Sequence, residues 1–348
     1  MWASIAILLG MIACLPTISA AVGTEIRPPA RLGVTTGPLS APLARAGALV
    51  AYDAADGYTL LFGGVNQSFV TLSDTWVYQG GNWTQLHPRT NPPGRTWSMM
   101  TYDTNDGYVL LFGGMNHSTG SSPYLDLGDT WTFRAGVWTR LNVTSGPVAR
   151  DSAMLADDPL LNSVLLFGGS LLGDFYGNTT PWFNDTWEFH NGSWSALHPA
   201  GWTPRRMAGS MTYFPRINRM VLFGGEVLTQ RGREFESHAV ITFDNATWRF
   251  VNSTGMAKYH GIYSTMVFLP HAHELFYVTG GGGTQNTWAY SNHTWRFLSS
   301  PTTLPLQPRY AMAYDGKDGY VLLFGGYASN NLPTNLTWQY SNGNWHRV

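Results

Sequence analysis

The chain has a single cysteine in 348 residues, Cys14, so no disulfide framework can hold it together. Charged residues make up only 12% and the formal net charge is −1, and no run of basic or basic-aromatic residues breaks that balance. Nucleic acid is therefore not an expected partner. No apolar run recurs with a 3.6-residue period over helical length, which argues against helices. The Gly-x-Ser-x-Gly nucleophile motif is missing, as is any phosphate-binding glycine loop. The glycines at 280–283 are an extension of a double glycine found throughout the chain.

What the sequence does have is a repeat of about fifty residues. The segment Leu-Leu-Phe-Gly-Gly occurs at 60–64, 110–114, 165–169 and 322–326, with Val221-Leu222-Phe223-Gly224-Gly225 and a degenerate Tyr277-Val278-Thr279-Gly280-Gly281. A pair of tryptophans seven residues apart follows: Trp76 and Trp83, Trp131 and Trp138, Trp187 and Trp194, Trp288 and Trp295, Trp338 and Trp345. In the fourth module Trp248 stands alone, with Ile241 in its partner's place. Each module reads as four short strands, a to d. In the first these are Ala46 to Tyr52, Tyr58 to Phe62, Thr75 to Tyr78 and Trp83 to Leu86. Asp56-Gly57, Asp106-Gly107 and Asp318-Gly319 mark tight a–b hairpins, because glycine accepts positive φ. A module of this size cannot bury its apolar face alone and must stack on its neighbours.

With the double glycine ending strand b, the Trp of strand c and an Arg opening strand a, residues 45–348 resemble the kelch-repeat β-propellers. The resemblance implies an all-β, six-bladed ring with four antiparallel strands per blade, which manages exposed sheet edges by closing on itself. It leaves function open, since such propellers include enzymes, sugar-binding proteins and interaction modules.

Before Glu25, the first charged residue, lies an apolar stretch from Ile5 to Leu15, followed by small residues around Ser19-Ala20-Ala21. Residues 1–21 read as a secretory signal peptide lacking the usual positive start, or as an uncleaved membrane anchor. Residues 22–44 form an N-terminal segment: 30–38 resemble the strand d and exit loop at 139–147, and could close the sixth blade or be the remnant of a seventh. Asn-x-Ser/Thr sequons occur at Asn66, Asn82, Asn116, Asn142, Asn178, Asn184, Asn191, Asn245, Asn252, Asn292 and Asn335, more than twenty asparagines give by chance. They point to a glycosylated extracellular or cell-surface protein. The alternative is that Asn suits turns, and Asn191, Asn245 and Asn292 all sit at the c–d turn.

In a four-stranded antiparallel blade the b–c and d–a connections share one face. Arg45, Arg95, Arg150, Arg206 and Arg309, which open strand a, are expected to line the channel mouth on that face, with Tyr259 and His260 in the fifth module. There they are candidate ligand-binding residues for a carboxylate, sulfate or acidic sugar; the competing reading makes the arginines fold residues that bond carbonyls. The long b–c loops of modules two to four add candidate contacts: Phe175, Tyr176, Trp182 and Phe183 in one, and Glu226, Arg231, Arg233, Glu234, Glu236 and His238 in another. A Tyr-His pair in such a propeller resembles the copper site of galactose oxidase, but its Cys-Tyr cross-link has no cysteine after Cys14 to build it. Neither a cofactor nor a metal site is expected, His271, His273 and Glu274 falling in an a–b turn on the opposite face. Asp74, Asp129 and Asp185 read as caps of strand c. The function expected is a protein- or glycan-binding module at the cell surface, with no assigned catalytic residue; a carbohydrate-active enzyme and a structural envelope component are the alternatives.

Overall fold

The computed structural model describes residues 40–117, 124–171, 181–201, 203–228, 234–255, 262–279, 286–302 and 304–348. Residues 1–39, with the expected signal or anchor segment and most of the N-terminal segment, lie outside these, as do Tyr259, His260, Phe175, Tyr176, Arg231, Arg233 and Asn178.

Among the described residues every regular element is a strand. Six four-stranded antiparallel sheets follow one another along the chain, each in the order a-b-c-d. The first comprises Leu49–Asp53, Tyr58–Phe62, Thr75–Gln79 and Asn82–Leu86. Strand a of the later sheets is Met99–Asp103, Met154–Asp158, Ser210–Phe214, Met266–Leu269 and Leu306–Asp315. Each strand a packs on that of the next sheet, and the sixth packs on the first. Radially stacked sheets joined into a closed cycle make a β-propeller. Two small sheets extend the b–c connections: Met115–Asn116 with Leu125–Asp126, and Glu226–Leu228 with Glu234–Glu236, the latter joined by Arg205–Met207 from the d–a connection.

The repeated residues have distinct tasks. Strand b is covered on both faces by adjoining sheets, and Leu60, Leu61 and Phe62 are fully buried, which is why the run is continuously apolar rather than alternating. The strand-d tryptophan is a wedge between sheets. Trp138, Trp194, Trp248 and Trp83 lie 5.1, 5.2, 4.8 and 5.0 Å from Phe62, Phe112, Phe167 and Phe324 of the preceding sheet. The strand-d indole N–H groups donate to the threonine before the preceding sheet's strand-c tryptophan: Trp138 to Thr75, Trp194 to Thr130, Trp248 to Thr186, Trp345 to Thr287 and Trp83 to Thr337. The last bond joins the first sheet to the sixth. Where Val240 replaces the threonine, the buried Nε1 of Trp295 has no partner.

The double glycine serves the same junction. The second glycine donates its N–H to the carbonyl of the next module's Arg: Gly64 to Arg95, Gly114 to Arg150, Gly169 to Arg206, and Gly326 to Arg45 across the seam. A Cβ on the first glycine would stand 2.5 Å from the Arg95 carbonyl at Gly63 and 2.6 Å from that of Arg45 at Gly325, both at positive φ, so only glycine fits.

Candidate functional site

The arginines that open strand a in modules one to four do not face the channel. Arg45, Arg95, Arg150 and Arg206 have no exposed surface. In the first three modules each guanidinium makes two parallel bonds to an aspartate: Arg45 to Asp74 at 2.6 and 2.7 Å, Arg95 to Asp129 at 2.8 and 2.8 Å, and Arg150 to Asp185 at 2.6 and 2.9 Å. Nη1 also bonds the first glycine's carbonyl, and Nε the carbonyl two residues back. The same aspartate accepts the indole N–H of Trp76, Trp131 or Trp187 at 2.7 Å. Burial alone would raise the carboxyls of Asp74 and Asp129, but the arginine hydrogen bonds and charge, with the indole, hold them below the usual range. These arginines are clasps of the fold, spent on carboxylates and carbonyls, and in modules one to three no guanidinium is left to take a ligand. Trp182 is likewise buried, against Met207 and Ala208, and Phe183 lies under Arg150 at 4.1 Å.

Arg309 is different. It stands two residues closer to its double glycine than the other four, and sheet six has a register shift between Gln307 and Tyr310 around it. It thereby joins another set: Gly47, Trp97, Ser152, Ala208, Tyr263 and Arg309, one from each module. All six have left-handed backbone, with φ of 61, 53, 53, 55, 54 and 79°. Each donates its N–H to the carbonyl of the one before: Trp97 to Gly47, Ser152 to Trp97, Ala208 to Ser152, Tyr263 to Ala208, Arg309 to Tyr263, and Gly47 to Arg309. The result is a closed ring of six hydrogen bonds. It explains why strand a starts at Leu49 and not at Ala46: the left-handed residue at 47 interrupts the extended backbone. Five of the six are not glycine, and a left-handed residue with a Cβ costs roughly 1–2 kcal/mol, so the surrounding fold has to hold them in place.

Three members of the ring, Trp97, Tyr263 and Arg309, carry large half-buried side chains that meet one another. Trp97 and Tyr263, from opposite members, approach to 6.1 Å between ring centres. The Arg309 guanidinium lies 5.0, 4.6 and 5.8 Å from the rings of Trp97, Tyr263 and Tyr327. Its side chain makes neither a hydrogen bond nor an ion pair with any described residue, and the aromatic rings are its contacts among them. Burial raises the Tyr263 hydroxyl; Arg309 opposes that, and the charges of Asp151 and Glu226 add to it. Asp151 is buried and accepts from Ser170 Oγ at 3.4 Å. Further out, His117 stacks on Tyr124 at 4.6 Å and its Nδ1 meets the Phe69 carbonyl at 2.7 Å. Sequence reasoning groups Arg309 with Arg45, Arg95, Arg150 and Arg206, which are buried in their clasps, and with Tyr259 and His260, which lie outside the described residues; it does not name Trp97 or Tyr263. The available signal was the shortened spacing of Arg309 to the glycines.

By sequence, no family and no curated protein matches this chain. By structure it is similar to a solved protein described as "Structure of YjhT", with a TM-score of 0.64 and 11% identity, over 89% of this chain and 99% of that one. At that identity the likeness concerns the fold, and it agrees with the propeller architecture. On the opposite face, His271 pairs with the Tyr314 hydroxyl at 2.7 Å, and Glu274 with Ser291 and Arg296.

Proposed function

We propose that this is an exported, N-glycosylated, six-bladed kelch-type propeller that acts as a binding module, gripping an anionic group of a surface glycan or protein at its central mouth. The observation that carries this reading is the unpaired guanidinium of Arg309, set among Trp97, Tyr263 and Tyr327. A cation with aromatic neighbours suits a carboxylate attached to a ring or apolar body, the ion taking the charge-assisted bonds and the rings the stacking. Six sheets in a closed cycle support the blade count, and the Arg, double-glycine and Trp set supports the kelch reading. Export is supported by the apolar stretch from Ile5 to Leu15 and by the exposure of Asn82, Asn142, Asn184, Asn191, Asn245, Asn252, Asn292 and Asn335.

The test is a glycan-array and acidic-sugar screen on residues 21–348, followed by titration of any hit against Arg309→Gln. Loss of a charge-assisted pair predicts roughly 10- to 100-fold weaker binding with an unchanged melting temperature. Equal affinity in the variant sinks the assignment. A second reading, a carbohydrate-active enzyme, would draw on the acidic residues near Tyr263, of which Glu226 is the half-buried one. It requires turnover of the bound sugar, abolished in Glu226→Gln while binding persists.

A further inference from the structure

The fourth clasp holds a cation without its carboxylate. Arg206 follows its three counterparts in sequence place, in complete burial and in the bond from Nη1 to the first glycine's carbonyl, here Gly224. Where they face Asp74, Asp129 and Asp185, it faces Ala239, and the indole that shares the aspartate is replaced by Ile241. Its Nε, bonded to a carbonyl in the other three, has no partner. No ion pair is formed by Arg206 among the described residues, and the burial that drives its pKa down to about 10 is opposed by no neighbouring charge. Arg206 has no exposed surface of its own, and an uncompensated buried charge is among the most costly defects a fold can carry.

We propose that a small monovalent anion, of the charge and size of formate or chloride, completes the fourth clasp, bonded to Arg206 in the place that an aspartate carboxylate fills in the first three. The geometry is already tried three times in the same molecule: a carboxylate there takes two parallel bonds from the guanidinium. That place is reachable, because the aspartate side chains filling it elsewhere are 21, 10 and 38% exposed while their arginines are 0 to 1% exposed. Ala239 leaves out the carboxylate that the first three clasps carry, and formate is a free carboxylate of that size. The site is separate from the mouth and does not depend on the function proposed for it.

The test uses sodium formate as the probe, exchanged for sodium gluconate at constant ionic strength, with the melting temperature of the purified chain as readout. The expected result is a saturable rise of a few degrees in the wild type. Ala239→Asp, which supplies the carboxylate from within, should melt higher without formate and show no further rise. Arg206→Met, which removes the charge, should also be indifferent to formate. An absent response in the wild type, or the same response in Ala239→Asp, overturns the proposal. If Arg206→Met does not fold, the comparison of wild type with Ala239→Asp decides alone.

Discussion

Asp157 shows how a single residue in this fold is set by what surrounds it. Burial raises its carboxyl to about 6; the Thr104 N–H and hydroxyl, donating at 3.1 and 2.7 Å, oppose this, while the charges of Asp103 and Asp158 add to it. The folded chain therefore holds this proton more tightly than the unfolded chain, whose ordinary value is 3.8. The resulting stability is fully present below 3.8 and lost as pH rises through about 6. Asp157→Asn keeps an acceptor for Thr104 and removes the titration. Its unfolding free energy relative to wild type should therefore rise between pH 4 and pH 7.5, by an amount on the order of 1–2 kcal/mol after allowance for solvent at this half-buried site. Asp74 and Asp129, held low by their arginines, have the opposite sign and cancel in the comparison. A flat difference across that range would show that the carboxyl is not desolvated. None of this can be read from the sequence, where Asp157 is one of two adjacent aspartates ending a strand; its environment is made by Thr104 of the neighbouring module.

At the scale of the element, much of the architecture can be read from the residues themselves. Strand b of the first module is predicted and found at Tyr58–Phe62, because a short apolar run bounded by Asp-Gly and Gly-Gly leaves little choice. Strand a is misjudged at its start, because a left-handed residue such as Trp97 or Ser152 leaves no mark in a local pattern. The arginine's role was legible as two alternatives; what decides between them is the aspartate some thirty residues on, a tertiary fact. The degenerate modules then act as natural substitutions in the scheme. Sheet four lacks the threonine that accepts from its neighbour's tryptophan, and Val240, at 0% exposure, lies where Thr75 lies in sheet one, each paired with the strand-b phenylalanine. Val240→Thr is nearly equal in shape and should satisfy Trp295 Nε1, stabilising the chain by about 1 kcal/mol in denaturant unfolding. The reverse change, Thr75→Val, strips Trp138 of its acceptor and should cost about 1–3 kcal/mol. If Val240→Thr is destabilising, the indole does not reach that position. Asp129→Ala should be the most damaging of the set, at about 3–5 kcal/mol, since it leaves Arg95 buried and unpaired.

For the molecule as a whole, the question is how a ring stays closed where the chain does not continue. Five junctions between sheets are crossed by the backbone; the junction between sheets six and one is crossed by contacts alone. Those contacts repeat the ones used elsewhere. Gly326 N–H bonds the Arg45 carbonyl at 3.1 Å, Gly47 N–H the Arg309 carbonyl at 2.8 Å, Arg45 N–H the Thr334 carbonyl at 2.9 Å, and Trp83 the Thr337 hydroxyl. With equal contacts and no covalent link, opening at the seam frees more chain entropy than opening elsewhere, so the seam is where local unfolding should start. Native-state hydrogen exchange should therefore find the amides of Gly326 and Gly47 exchanging faster than their counterparts Gly114 and Ser152, at matched denaturant. The four described strands of sheet six come from residues 306–347, and the part of residues 22–39 in closure is open to a deletion test. Deleting them should leave the seam amides at the same rate if the ring closes through these bonds alone. Faster seam exchange on deletion, with Gly114 and Ser152 unmoved, would assign that segment the closing part its likeness to a strand d suggests.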